Sequence, residues 1–327
     1  VDTLYQGNVI NNGSNPDWVG KLYRLTTGDP TDSDTFGTVT SPSQWGIASG
    51  SDRVPTVLID NFSAPSDTKV GPIPSAPGVT LDDSGQYWLF FGTGRYHSAA
   101  DKTNSDTQYL FGIKDPVLTG GCTQSTSTNC EQNDLVNVSG ATICIVCTGG
   151  TTEVTGVSGV TTLEGTSTTT LQGLVQSKEG WFTTLPATRE RALVSPTLIG
   201  GTVFFPTFIT PDDSACEGSS GTSTLYALFY LTGTAYTEPA LGTEVDGSGN
   251  TNAKRSIAIG GIGMASQVAI HIGGQGTGGA GAASNAGCAG RVTGFVQSST
   301  GTLTQFCSKP ALSGWSHYVS WIGERSI

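Results

Sequence analysis

Gly20-Lys-Leu-Tyr-Arg-Leu-Thr-Thr-Gly28 sets alternating aromatic and aliphatic residues between two glycines, and the pattern returns three times. The later copies are Gln108-Tyr-Leu-Phe-Gly-Ile-Lys-Asp115, Ser223-Thr-Leu-Tyr-Ala-Leu-Phe-Tyr-Leu-Thr-Gly233 and Arg291-Val-Thr-Gly-Phe-Val-Gln-Ser-Ser-Thr-Gly301. Recurrence of one strand-plus-turn unit is how a β-propeller shows itself in sequence. The copies are degenerate and unevenly spaced. They predict an all-β chain and a β-propeller that is incomplete or modified.

Composition points the same way. Of 327 residues, 46 are Gly, one is Met and 13% are charged. Abundant Gly, Ser and Thr deplete the good helix formers and favour strands and turns. No long stretch repeats apolar residues at i, i+3, i+4 and i+7. One propeller region over residues 1–327 is expected, long enough to bury a substantial core. The net charge of -11 and a pI near 4.6 argue against a nucleic-acid partner, which needs a clustered basic face. They also argue against attraction to anionic lipid. No apolar run is long enough for a membrane-spanning helix. The chain opens Val1-Asp2-Thr-Leu-Tyr, with neither Met nor an apolar leader, and reads as a mature or processed fragment.

The cysteines are Cys122, Cys130, Cys144, Cys147, Cys216, Cys288 and Cys307, several of them in polar Ser/Thr/Gly loops. They read as disulfides of an exported protein. Cys122 with Cys130 would close a short loop. Cys144-Ile-Val-Cys147 is a C-x-x-C without the second pair or the histidines that a zinc site needs, and without a βαβ setting for redox chemistry. The odd count leaves one thiol free or paired outside this chain. Residues from about 117 to 180 hold four of the seven cysteines and long Thr/Ser/Gly runs. They read as an inserted, disulfide-stapled β excursion of roughly 60 residues, long for a plain loop.

Two hairpins stand out. Gly78 to Gly92 places the turn Asp83-Ser-Gly85 between two strands, and Leu193 to Phe208 places Gly200-Gly201 between two more. Ile257 to Ile272 is apolar and glycine-rich, suited to close packing near a propeller axis. Trp315 to Arg325 alternates as a closing strand would.

Catalytic signatures are scarce. His97, His271 and His317 lie in separate segments and read as structural. Neither G-x-S-x-G nor H-E-x-x-H occurs. Gly92-Thr-Gly94 lacks the third glycine of a dinucleotide site. Asp82-Asp83 reads as turn chemistry before glycosidase carboxylates. Calcium has more to offer, since a hard cation needs several oxygens on one loop. Val245-Asp-Gly-Ser-Gly-Asn-Thr-Asn252 presents Asp246, Ser248, Asn250 and Asn252 at alternate positions, although it lacks a terminal carboxylate and a simple Asp-Gly turn is the plainer reading. Asp101 to Asp106, and Asp212-Asp213 with Glu217, are further oxygen-rich stretches.

Several blocks, in order, resemble the PilC/PilY-type family of type IV pilus tip proteins. Val1-Asp-Thr-Leu-Tyr-Gln-Gly-Asn8 with Trp18-Val-Gly-Lys-Leu-Tyr-Arg-Leu25 is similar to its VD-x-x-Y-x-G-D … G-x-L-W/Y-R segment. Tyr87-Trp-Leu-Phe-Phe-Gly-Thr-Gly-Arg-Tyr96, followed by Gln108 to Asp115, is similar to its W-x-x-F-G-T-G-R-Y signature and the strand after it. Gly180-Trp-Phe-Thr-Thr-Leu-Pro186 with Arg189-Glu-Arg-Ala-Leu-Val194, Phe205 to Cys216 with Gly221 to Tyr226, and Val319-Ser-Trp-Ile-Gly-Glu324 resemble three more of its stretches.

The resemblance implies the C-terminal propeller of a large exported, non-catalytic protein at the pilus tip or cell surface. It would support pilus assembly by opposing retraction, and would adhere to a host or abiotic surface. Its partners would be major or minor pilins, or an N-terminal fragment of the same precursor that could take the seventh cysteine. Some members bind calcium through a loop just ahead of the first block. Here Asp2 could be the last ligand of such a loop, and Asn8 replaces the usual Asp. Two rival classes are a quinoprotein-type propeller dehydrogenase and a structural subunit of an extracellular filament.

Overall fold

The computed structural model describes residues 3–11, 13, 18–27, 41–49, 51–62, 68–116, 133–150, 152–211, 221–271 and 292–308. Asp2, Cys122, Cys130, Cys216, Cys288, the Asp212 to Glu217 stretch, and the segment from Trp315 that was expected to close the fold lie outside them. Among the described residues the chain is nearly all β, with one short helix, Leu171–Ser177, capped by the Thr170 hydroxyl accepting from Gly173 N–H.

Among the described residues, five sheets have three or more strands. The first is Thr3–Gly7, Leu22–Thr26 and Thr56–Ile59. The second runs Gly78–Leu81, Tyr87–Gly92, Tyr109–Asp115, Gly180–Thr184 and Leu135–Asn137, the last pair parallel. The third is Val154–Thr155, Thr142–Val146, Thr251–Ala253 and Thr243–Val245. The fourth is Glu190–Arg191, Thr202–Ile209, Thr222–Phe229 and Ser256–Ile259, with Thr197–Ile199 also on Thr202–Ile209. The fifth is Ala269–His271, Val292–Gln297 and Leu303–Ser308, which carries Cys307.

The four sequence repeats fall on Leu22–Thr26, Tyr109–Asp115, Thr222–Phe229 and Val292–Gln297. Each is an inner strand of a different sheet. An inner strand hydrogen-bonds on both edges; Tyr109–Asp115 and Thr222–Phe229 are also buried at successive positions, whereas Leu22–Thr26 and Val292–Gln297 alternate between buried and half-buried or exposed residues. The demands of an inner position keep the motif recognisable where the outer strands drift.

The sheets stack through three apolar layers. Along Tyr87–Gly92, Leu89 and Phe91 point to a layer shared with the first sheet, and Trp88 and Phe90 to a larger layer shared with the third and fourth. Phe204 and Leu225 of the fourth sheet meet Val296 and Phe306 of the fifth. In the first layer Phe62 sets its ring edge-on to Tyr109, Phe111 and Phe182 at 4.9–5.0 Å.

Both expected hairpins are present. Thr197–Ile199 returns as Thr202–Ile209 through Gly200 (φ 53°) and Gly201 (φ 77°), the paired positive values that a tight two-residue hairpin requires. The described part of 117–180 is woven into the fold: Leu135–Asn137 joins the second sheet and Thr142–Val146 the third. Cys144 and Cys147 form a disulfide where Thr142–Val146 shifts register against Thr251–Ala253. One expectation is corrected. Ile257 to His271 packs closely as expected at Ile257, Ile259, Ala265, Val268 and Ile270, but as two strands of different sheets and not one run, joined through an exposed turn in which Ile262 is 53% exposed.

Two contacts tie sheets together. Trp181 is fully buried, donates Nε1–H to Tyr230 O at 2.8 Å, and lies against Gly112 and Gly233. A Cβ on either glycine would overlap its ring. Arg24 of the first sheet pairs with Asp115 of the second, with both side chains fully buried, and the Tyr5 hydroxyl donates to the same carboxylate at 2.6 Å. Burial and the Asp115 charge push the Tyr5 phenol well above its usual range.

Gly112→Ala is expected to lower unfolding free energy by about 1–3 kcal/mol through overpacking. Asp115→Ala, which leaves the Arg24 guanidinium buried without that carboxylate, is expected to cost about 3–5 kcal/mol. Urea unfolding midpoints at constant m-value check both.

Candidate functional site

Asp246, Ser248, Asn250 and Asn252 are brought together in the turn between Thr243–Val245 and Thr251–Ala253. Asp246 Oδ1 accepts from the backbone N–H of Ser248 (2.8 Å) and of Asn250 (3.0 Å). Its Oδ2 accepts from the side-chain amides of Asn250 (3.0 Å) and Asn252 (3.1 Å). Asn250 Oδ1 in turn accepts from Thr148 N–H at 2.9 Å. A backbone N–H can only donate, so the Asn250 amide cannot be reversed, and its NH₂ must face Asp246. The loop is a polar staple that joins the hairpin to the Thr148 turn. A hard cation needs lone pairs pointing inward. Here both Asp246 oxygens accept from N–H groups of the loop. Among the described residues no cluster of three or more His, Cys, Asp or Glu side chains is placed to hold a metal.

A second site forms where the strand Tyr87–Gly92 ends and the chain loops from Thr93 to Gln108. Its centre is Arg191, a buried residue of the fourth sheet. The guanidinium donates to the carbonyls of Arg95 (2.6 Å), Asp101 (2.8 Å) and Asn104 (3.0 Å), and its Nε–H donates to Arg189 O (3.2 Å). Arg189 itself holds a left-handed backbone (φ 66°), uncommon for a residue with a side chain. Asp101 is also buried and caps the loop from within. It accepts from the backbone N–H of His97 and Ser98, both at 2.7 Å, and pairs with Arg95. Thr210 Oγ1 donates to Lys102 O at 2.9 Å.

Arg95 then lies flat over the Trp18 ring at 3.6 Å. Trp18 and Arg95 line a small recess together with Pro72, Asp101, Asn104, Asp106 and Gln108. The sequence shows the acidic stretch Asp101 to Asp106 but not the guanidinium that organises it, which comes from a distant position. The block Phe91-Gly-Thr-Gly-Arg-Tyr96 was the available signal. Arg95 and Tyr96 both belong to the cluster, with Tyr96 edge-on to Phe208 at 5.4 Å. His97 takes part through its backbone.

These features define a class: an all-β, propeller-like domain that carries a rigid, non-strand loop. No family model matches the chain. The chain is 28% identical over 206 residues to a type IV pilus biogenesis factor PilY1 homolog of Xylella fastidiosa, across 59% of this chain and 12% of that protein. Its fold matches the crystal structure of the Pseudomonas aeruginosa PilY1 C-terminal domain with a TM-score of 0.52 and 16% identity, over 95% of this chain and 62% of that one. The chain thus spans a small part of the curated relative. The first is a likeness in sequence to part of a PilY1 homolog, and the second a likeness in fold to a PilY1 C-terminal domain.

Acid is expected to loosen both loops. The Asn250 side-chain amide, with backbone N–H donors and Asn252, holds Asp246 down to about 2, from 3.8. Burial pushes Asp101 up, but the N–H groups of His97 and Ser98, the Ser98 hydroxyl and Arg95 outweigh it and leave a net lowering. Folded values below the unfolded ones give stability that is complete above about pH 4 and is lost as pH falls through the folded values. Amide exchange at Ser248 and Asn250 should therefore accelerate, relative to the core, between pH 4 and 2. The acceleration should be absent in Asp246→Asn.

Proposed function

We propose that this chain is the C-terminal, propeller-like part of a type IV pilus-associated protein that supports pilus biogenesis and surface attachment without catalysis. The observation that carries the reading is the 206-residue match to the PilY1 homolog, joined to the PilY1-type fold. The architecture suits the role: sheets stacked through shared apolar layers form a stiff support, and binding work falls to loops held at their ends. The partners in this reading are pilins or the preceding part of the same protein on one side, and a host or abiotic surface on the other. The location is extracellular, at the pilus tip or cell surface. Among the described residues no helix is long and apolar enough to cross a membrane.

Removal of the coding region for residues 1–327 from the chromosomal gene is expected to lower surface pilin and surface attachment together. Blocking pilus retraction in the same strain should restore surface pilin but not attachment. Unchanged surface pilin in the deletion strain would sink the proposal.

A further inference from the structure

Cys144 and Cys147 bridge the end of an inner strand of the third sheet, and the bridge has features that stapling alone does not require. The two residues are three positions apart. A ring that short removes less loop-closure entropy from the unfolded chain than a longer one would, so it adds little to stability. The two cysteines also sit in unlike settings. Cys144 is 4% exposed, whereas Cys147 lies just past the strand and is exposed. A thiolate arriving from solvent meets Cys147 first.

The chain around the bridge has slack. Cys144 stands opposite Asn252 and Val146 opposite Thr251, with Ile145 between them as an extra residue, so the ladder is bulged inside the ring itself. Val146 is 58% exposed. Beyond Cys147 come Thr148, Gly149 (φ 64°) and Gly150 (φ 79°), all exposed, and a Cβ at either glycine would stand in open space. Segments with few packed neighbours open locally at low cost.

The bridge holds the Thr148 end of the polar staple. Thr148 follows Cys147 directly, and its N–H and its hydroxyl donate to Asn250 Oδ1 at 2.9 and 3.0 Å. Through the Asn250 amide the grip extends to Asp246. We propose that Cys144–Cys147 is an exchangeable disulfide, open to attack at Cys147 Sγ by a dithiol from solvent, and that its opening releases Thr148 from the Asp246 turn. One thiolate of the dithiol bonds to Cys147 Sγ, the bond between the two cysteines breaks, and Cys144 leaves as a thiolate that takes up a proton. The second thiolate of the dithiol then attacks the dithiol's own sulfur in the mixed disulfide, and Cys147 leaves and is protonated in turn. The dithiol ends as a disulfide, oxidised by two electrons, and the protein bridge is reduced by the same two. The chain is the substrate of this exchange and not its catalyst, so no βαβ setting is needed; access to one sulfur and slack beside it are enough.

The test is treatment of the purified, folded chain with dithiothreitol, raised in steps at about pH 8 where thiolates are available, followed by alkylation and mass spectrometry. Cleavage after Glu131 and Glu153 isolates residues 132–153, which hold Cys144 and Cys147 and no other cysteine. The expected result is alkylation of both at dithiothreitol concentrations that leave the circular dichroism and tryptophan fluorescence of the chain unchanged. Amide exchange at Thr148 and Asn250 should quicken at least ~10-fold on opening, while exchange at Leu225 and Leu228 stays as it was. Cys147→Ser should show the faster exchange without dithiothreitol and gain nothing more from it. The proposal is overturned if the bridge opens only where the whole chain unfolds, as a purely structural disulfide would, or if it opens and Thr148 and Asn250 exchange as before. A further quickening of Cys147→Ser by dithiothreitol would place the effect at another cysteine and overturn it too. Should Cys147→Ser fail to fold, the treated and untreated wild-type chains still separate the first two outcomes from the expected one.

Discussion

The seat of Trp181 is the constraint on which the interior depends. The indole belongs to the second sheet, but its N–H is satisfied by Tyr230 O, just past the long strand of the fourth. One glycine from each side, Gly112 and Gly233, lets the backbone come up against the ring. A large aromatic group with a single donor thus fixes the spacing and the rotation of two sheets at once. The side chains that share its layer, from Phe90 to Val203 and Leu228, pack at a separation that this contact sets. The buried Arg24–Asp115 pair plays the corresponding part between the first and second sheets. Its geometry is directional where an apolar contact would slide, and it holds register between elements that share no backbone hydrogen bonds.

Much of the β architecture could be read from the chain because inner strands obey a strict rule. Leu22–Thr26, Tyr109–Asp115, Thr222–Phe229 and Val292–Gln297 must satisfy both edges while burying at least one face, and so they share a pattern. The third sheet could not be read in this way. Its two inner strands, Thr142–Val146 and Thr251–Ala253, lie far apart in sequence, and neither carries the motif. Pairing between distant short strands leaves no local mark. The exposed turn around Ile262 was missed for the opposite reason: glycine and isoleucine suggested close packing, while the chain uses the glycines to turn.

The sites divide along the same line. Alternating Asp, Ser and Asn is common to a cation loop and to a hydrogen-bonded turn. What separates the two is which end of the Asn250 amide faces Asp246, and that is decided by Thr148, about a hundred positions away. Likewise, the acidic stretch Asp101 to Asp106 reads as a possible ligand set until Arg191 is placed among its carbonyls. In both cases composition shows which polar groups are available, and tertiary placement assigns donor or acceptor to each.

Arg191 grips the loop by hydrogen bonds to main-chain oxygens, with the Tyr96 ring beside its guanidinium. Every residue type supplies a carbonyl, so the hold is indifferent to what the gripped positions display. Exposed side chains such as those of Ser105 and Thr107 can be exchanged over generations without touching this grip, provided that Arg191 and Asp101 stay. The structure thereby separates the part of the loop that must persist from the part that is free to diversify, and related chains could meet different surfaces on one unchanged support.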